Sequence, residues 1–176
     1  MGGRNGRSFR TASLALGLGL SFAAQAEPEP VPVAFNVRIA HEATADVVRD
    51  ALRGAAERLE SPKCQAVFSD FSDLSGRPLQ ERLESLGQTP QAYLGQIFFY
   101  DGSKEPRCQS EGVLAVTSPG SHVVHVCPKA IRAMYWRQPL YVEAILIHEA
   151  LHTLGLGENP PTSREITSRV VRRCRR

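Results

Sequence analysis

This chain has little methionine, no Cys-x-x-Cys pair, no long apolar run beyond its first two dozen residues and no internal repeat. Its two methionines are Met1 and Met134, so none follows residue 134. The missing Cys-x-x-Cys leaves paired-thiolate zinc sites without support. The missing second apolar run leaves no candidate for stable membrane insertion, which takes about 20 residues. Net charge is also missing. The whole chain carries +3, but Arg4, Arg7 and Arg10 are the only charged side chains before residue 27, and the 18 basic and 18 acidic residues from 27 onward balance. A balanced chain has no general attraction for nucleic acid.

What is present begins with an export leader. The three arginines precede an apolar stretch over residues 12–23, too short to span a bilayer, and Ala24-Gln25-Ala26 supplies small residues for cleavage. The expectation is a signal peptide over 1–26, cut after Ala26, and a single domain over 27–176 in a secreted or periplasmic location. No cysteine follows the apolar stretch closely, so a lipid anchor is not indicated. Cys64, Cys108, Cys127 and Cys174 all lie beyond the leader. An even count in an exported chain predicts two disulfides. Of the three pairings, Cys64–Cys108 with Cys127–Cys174 is preferred.

Hydrophobic periodicity predicts a strand at 33–39 and a helix at 44–60, whose apolar stripe runs through Ala45, Val48, Leu52, Ala55 and Leu59. A strand is expected at 65–71, a short helix at 78–86 and an aromatic strand at 96–100. Segments 112–117 and 122–127 flank Ser118-Pro119-Gly120-Ser121 and read as a hairpin. Helices follow at 128–136 and 139–154. Thr162-Ser163-Arg164-Glu165 is a capping box that opens a last helix to Cys174. Arginines 172, 173, 175 and 176 at its end favour the helix macrodipole. The order predicts an α+β fold with one small mixed sheet.

The chemistry lies in His148-Glu149-Ala150-Leu151-His152. Histidines four apart share one side of a helix and can bind one zinc ion, while the glutamate between them can take a proton from water that the zinc acidifies. A shuffled chain of this composition would contain H-E-x-x-H about one time in a hundred. The apolar helix that carries the motif and the Gly155 that ends it support the assignment. Zinc in catalytic sites takes three protein ligands. Glu158, just past the glycine turn, is the expected third; Glu165, on the last helix, is the rival.

Residues 148–158 resemble the metzincin clan of zincin metallopeptidases, whose pattern is H-E-x-x-H-x-x-G-x-x-H or -D. Here Glu158 stands in the third-ligand place, and the clan's downstream methionine turn has no counterpart. The resemblance implies a zincin-like fold, Zn2+ on His148, His152 and Glu158, and Glu149 as general base. It also implies an edge strand above the active helix that holds the substrate backbone, the place taken by 122–127. Tyr135, Tyr141, His122 and His125 are candidate oxyanion donors, and Thr153 a candidate orienting group.

The expected function is an exported, monomeric zinc metallopeptidase acting on a peptide or protein. The alternatives are a catalytically silent zinc-binding or interaction domain, and an amidase or cell-wall hydrolase with the same metal and base.

Overall fold

In the computed structural model, residues 1–3 and 33–175 are described. Apart from residues 1–3, the expected leader lies outside the described residues, and so does its cleavage site. Residues 33–175 lie within one compact unit.

Strand β1 (Asn36–Arg38) leads into helix α1 (Glu42–Arg58). The stripe through Ala45, Val48, Leu52 and Ala55 is fully buried, as its spacing requires. Ser61-Pro62 then starts a new short helix, α2 (Pro62–Gln65), which tightens into a 3-10 turn over Ala66–Phe68. The strand expected at 65–71 is therefore wrong. Pro62 is well placed in a first helical turn, and the local turns bury Cys64, Val67 and Phe68 without a ladder partner. Helix α3 (Leu79–Ser85) and helix α4 (Pro90–Gln96) follow, the latter capped by Thr89, whose side chain accepts from Ala92 N.

Strand β2 (Phe98–Asp101), strand β3 (Ala115–Val116) and strand β4 (Val123–Val126) complete a four-stranded sheet in the order β1-β2-β4-β3. β1, β2 and β4 are parallel; β3 is antiparallel to β4. The fold is thus α+β with a small mixed sheet, as expected. The hairpin turn forms as its residues dictate: Ser121 N donates to Ser118 O at 3.0 Å and Gly120 takes φ 79°. One expectation changes sides, however. The strand at 122–127 is interior, and the edge strand beside it is β3.

Helix α5 (Pro128–Tyr135) precedes helix α6 (Pro139–Thr153), and helix α7 (Ser163–Cys174) ends the fold. α6 is buried on nearly all faces, packed against α1, α5, α7 and β3. Its approach to α1 is close enough that a Cβ on Gly54 would lie 2.6 Å from Glu143. Buried Glu143 pairs with Arg58 Nε, and Arg58 Nη1 donates to Cys174 O at 2.9 Å. One guanidinium thereby ties α1, α6 and the end of α7. No helix among the described residues is long and apolar enough to cross a membrane.

The disulfides are Cys64–Cys174 and Cys108–Cys127. The preferred pairing was wrong because α7 returns its end to α2, while the loop after β2 lies against the end of β4. Both bonds fit an oxidising compartment.

Candidate metal centre

The site grows out of the way α6 ends. Leu154 closes the helix and Gly155 takes φ 108°, a conformation side chains resist. Leu156 N donates to Leu151 O at 3.2 Å and Gly155 N to His152 O at 2.8 Å. These two bonds make a Schellman turn. The turn reverses the chain and brings Leu156 and Glu158 back over the last helical turn. It is also held from outside. Leu74 N donates to Gly155 O at 3.2 Å, and a Cβ on Gly157 would lie 2.5 Å from a Leu74 methyl. The loop that carries Leu74 is braced by Asp73, whose carboxylate accepts from Ser75 N and Arg77 N. The Ser75 hydroxyl donates to it as well, and that bond first, then the one from Arg77 N, hold the Asp73 carboxyl down to about 2. The hairpin turn docks here too, with Gly120 N donating to His152 O at 2.9 Å.

Three ligand atoms meet above this turn. His148 Nε2 and His152 Nε2 are 2.9 Å apart, and Glu158 Oε1 lies 3.2 Å from His152 Nε2 and 3.8 Å from His148 Nε2. Tetrahedral ligands about 2.05 Å from a zinc ion stand about 3.3 Å from each other. The observed edges straddle that value, so the donor set fits a small divalent cation. The outer nitrogens of the two imidazoles are held as well. His152 Nδ1 faces Leu156 O at 2.7 Å, a carbonyl that can only accept, so that nitrogen carries the proton and Nε2 keeps its lone pair for the site. His148 Nδ1 lies 2.9 Å from Thr167 Oγ1 on α7. A His148–His152–Glu158 group that can hold a metal ion is therefore formed.

Glu165 is not part of it. Its carboxylate accepts from Thr162 N and Oγ1, both at 2.8 Å, and Glu165 N donates to Thr162 Oγ1. The capping box read in the sequence is complete, and its hydrogen bonds hold the Glu165 carboxyl below the ordinary value.

Glu149 is 6% exposed and lines the same cleft of about 400 Å³ as the three ligands. Burial, and then the nearby Glu158 carboxylate, raise its carboxyl to about 8; Arg107 opposes the rise. Burial, and then His152, lower the His148 imidazole to about 3.

These two shifts predict the acid–base behaviour of the metal-free fold. Between the ordinary carboxyl value of 4.5 and about 8, folded Glu149 keeps a proton that the unfolded chain gives up, so stability falls as pH rises. Between about 3 and the ordinary imidazole value of 6.5, the unfolded chain takes a proton that folded His148 refuses, so stability falls as pH drops. The slopes cancel where the windows overlap. The melting temperature of metal-free protein is thus expected to be flat from about 4.5 to 6.5 and to decline on both sides. Added zinc should flatten the alkaline decline, because a cation beside Glu149 favours its carboxylate. Melts at stepped pH, with and without metal, check this; an alkaline decline unaffected by zinc would separate Glu149 from the metal.

The other candidates scatter. Tyr141 lines a neighbouring cavity of about 390 Å³ with Ile145, His148 and Glu149. His122 packs on Tyr93 with ring centroids 6.0 Å apart, and His125 faces Glu105 at 3.8 Å on the sheet. Tyr135 packs on Trp136. None of the four lines the metal cleft. Thr153 has a structural partner: Tyr93 OH donates to its hydroxyl, which donates to Ala150 O. Sequence reading missed Arg107, Thr167 and the Leu156 carbonyl. The first two belong to other segments, with no motif to mark them. The carbonyl follows from the glycine turn and was within reach.

No protein-family model, curated protein or solved structure matches this chain.

Proposed function

We propose that this protein is an exported zinc-dependent metallopeptidase of zincin type. The observation that carries the reading is the triangle of His148, His152 and Glu158 with buried Glu149 in the same cleft. Zinc bound there supplies Lewis acidity and lowers the pKa of water toward neutrality. Glu149 takes the proton from the attacking water and passes it to the departing amine. Its burial suits that work, because a base too acidic to hold the proton could not deliver it. Thr167 and the Leu156 carbonyl keep both imidazoles aimed at the site.

The outer strand β3 supports a peptide substrate. Cys127 N donates to Leu114 O, and in an antiparallel ladder only alternate residues bond the partner strand. The backbone groups of Ala115 therefore face away from β4, and Ala115, Val116 and Thr117 line the cleft. An extended peptide can add there as a strand.

Metal analysis of oxidised protein purified without added metal tests the centre. One zinc per chain is expected. Glu158→Ala should weaken zinc binding by about tenfold or more. Glu165→Ala should keep the zinc and cost about 1 kcal/mol through the lost cap. An unchanged zinc affinity in Glu158→Ala would end the three-ligand assignment. Incubation with a mixed peptide library tests the reaction: cleavage that a chelator stops and zinc restores is expected, and no cleavage under any metal condition would end the peptidase reading.

A further inference from the structure

The cleft holds a cation that the proposed hydrolysis does not use. Among the described residues, Arg107 is the only Lys or Arg lining the cavity shared by His148, Glu149, His152 and Glu158. It sits on a 3-10 turn, Pro106–Gln109. That turn is fastened: Cys108 is bonded to Cys127, which immediately follows β4, and Gly102 N donates to Val126 O at 2.7 Å. A Cβ on Gly102 would lie 2.9 Å from the Cys108 sulfur, so the loop is pressed onto the strand end. Arg107 is exposed, and its Nη2 donates to Thr117 O at 3.1 Å, one residue past β3. Among the described residues no carboxylate lies within ion-pair distance of it.

Charge counting then gives the cleft a sign. This step rests on the metallopeptidase reading above. A divalent cation held there would balance the carboxylates of Glu149 and Glu158, leaving the charge of Arg107 over. A guanidinium has five N–H donors, and the bond to Thr117 engages one. The remaining donors form a fork that matches a carboxylate. The bond to Thr117 places that fork at the end of the strand along which an extended substrate would lie.

We propose that Arg107 selects substrates that carry a carboxylate close to the scissile bond, either an Asp or Glu side chain or a free C-terminal carboxylate. The neutral Thr117 carbonyl orients the guanidinium without cancelling its charge. The disulfide keeps the turn from swinging away.

Binding and turnover are measured apart. The probes are acetyl-Ala-Ala-Asp-Ala-Ala-amide, its Asn counterpart, and the Asn peptide with a free C-terminal carboxylate. Dissociation constants are taken by calorimetry on the zinc-loaded Glu149→Gln protein, so that no peptide is consumed. At least one carboxylate peptide should bind about tenfold or more tightly than the neutral amide, as a charged hydrogen-bonded pair permits. Which of the two does so identifies the carboxylate's source. Arg107→Gln in the same background should erase the difference, and Arg107→Lys should keep part of it. Equal affinity for all three peptides, or a difference that survives Arg107→Gln, overturns the proposal. Hydrolysis of the same peptides by protein with Glu149 intact is the separate test of the reaction. Cleavage without acidic preference retains the peptidase and removes the role of Arg107. Acidic preference in binding without any cleavage does the reverse.

Discussion

Glu149→Gln is expected to lower zinc-dependent peptide hydrolysis by about a thousandfold, within the range for losing a general base, while zinc content stays at one per chain. The amide keeps the shape of the side chain and cannot accept the proton. It also removes a buried ionisable group that burial and Glu158 hold up to about 8, so the fold should not suffer. The metal-free variant should in fact lose the alkaline decline in melting temperature. That second readout ties the effect to this side chain rather than to a general disturbance. Initial rates on cleaved library peptides, with metal content measured on the same samples, decide the matter. Hydrolysis that persists within a few-fold of the unchanged protein would mean that another group moves the proton. Loss of zinc would mean that Glu149 acts as a ligand.

Opening the long disulfide should produce the largest change in stability. Cys64–Cys174 closes a sequence separation of 110 residues, and Cys108–Cys127 one of 19. Chain-entropy arguments give about 4.8 kcal/mol for the first loop and about 3.2 kcal/mol for the second. A domain of this size has about 5–15 kcal/mol in all. Replacing Cys64 and Cys174 by Ser should lower the melting temperature by about 10–20 °C, and replacing Cys108 and Cys127 by clearly less. The long bond also fastens the end of α7, where Arg173 pairs with Asp70 at 2.7 and 2.8 Å and Arg58 holds the Cys174 carbonyl. If both pairs cost the same, those polar contacts secure α7 without the sulfur bridge.

The helices with long apolar stripes, α1 and α6, were legible because 3.6-residue spacing and burial are the same fact seen twice. The capping box at Thr162 and the turn at Gly155 were legible for a similar reason: each is local chemistry that needs no partner. The segment at 65–71 was misread because short apolar runs look alike in strand and turn. Pro62 was the better guide. α4 went unseen although Thr89-Pro90 is a sound start, because Gly95 interrupts the pattern. The disulfide pairing depends on where α7 lands, which no local signal records. The same limit applies to the candidate metal centre. Its ligands share one stretch of sequence, whereas Thr167 and Arg107 reach it only through the packing of α7 and the placing of the loop after β2.

His148, Glu149, His152 and Glu158 come from eleven consecutive residues, so a cation can begin to engage them from one helix end and its turn. Thr167 belongs to α7, and the last residue of that helix is joined by sulfur to Cys64. Before that bond forms, the covalent hold on α7 is missing, and only packing and the polar contacts of Arg58 and Arg173 keep Thr167 beside the outer nitrogen of His148. If zinc binds as proposed, reduced protein is expected to release it more readily than oxidised protein, and metal exchange measured on the two forms checks this.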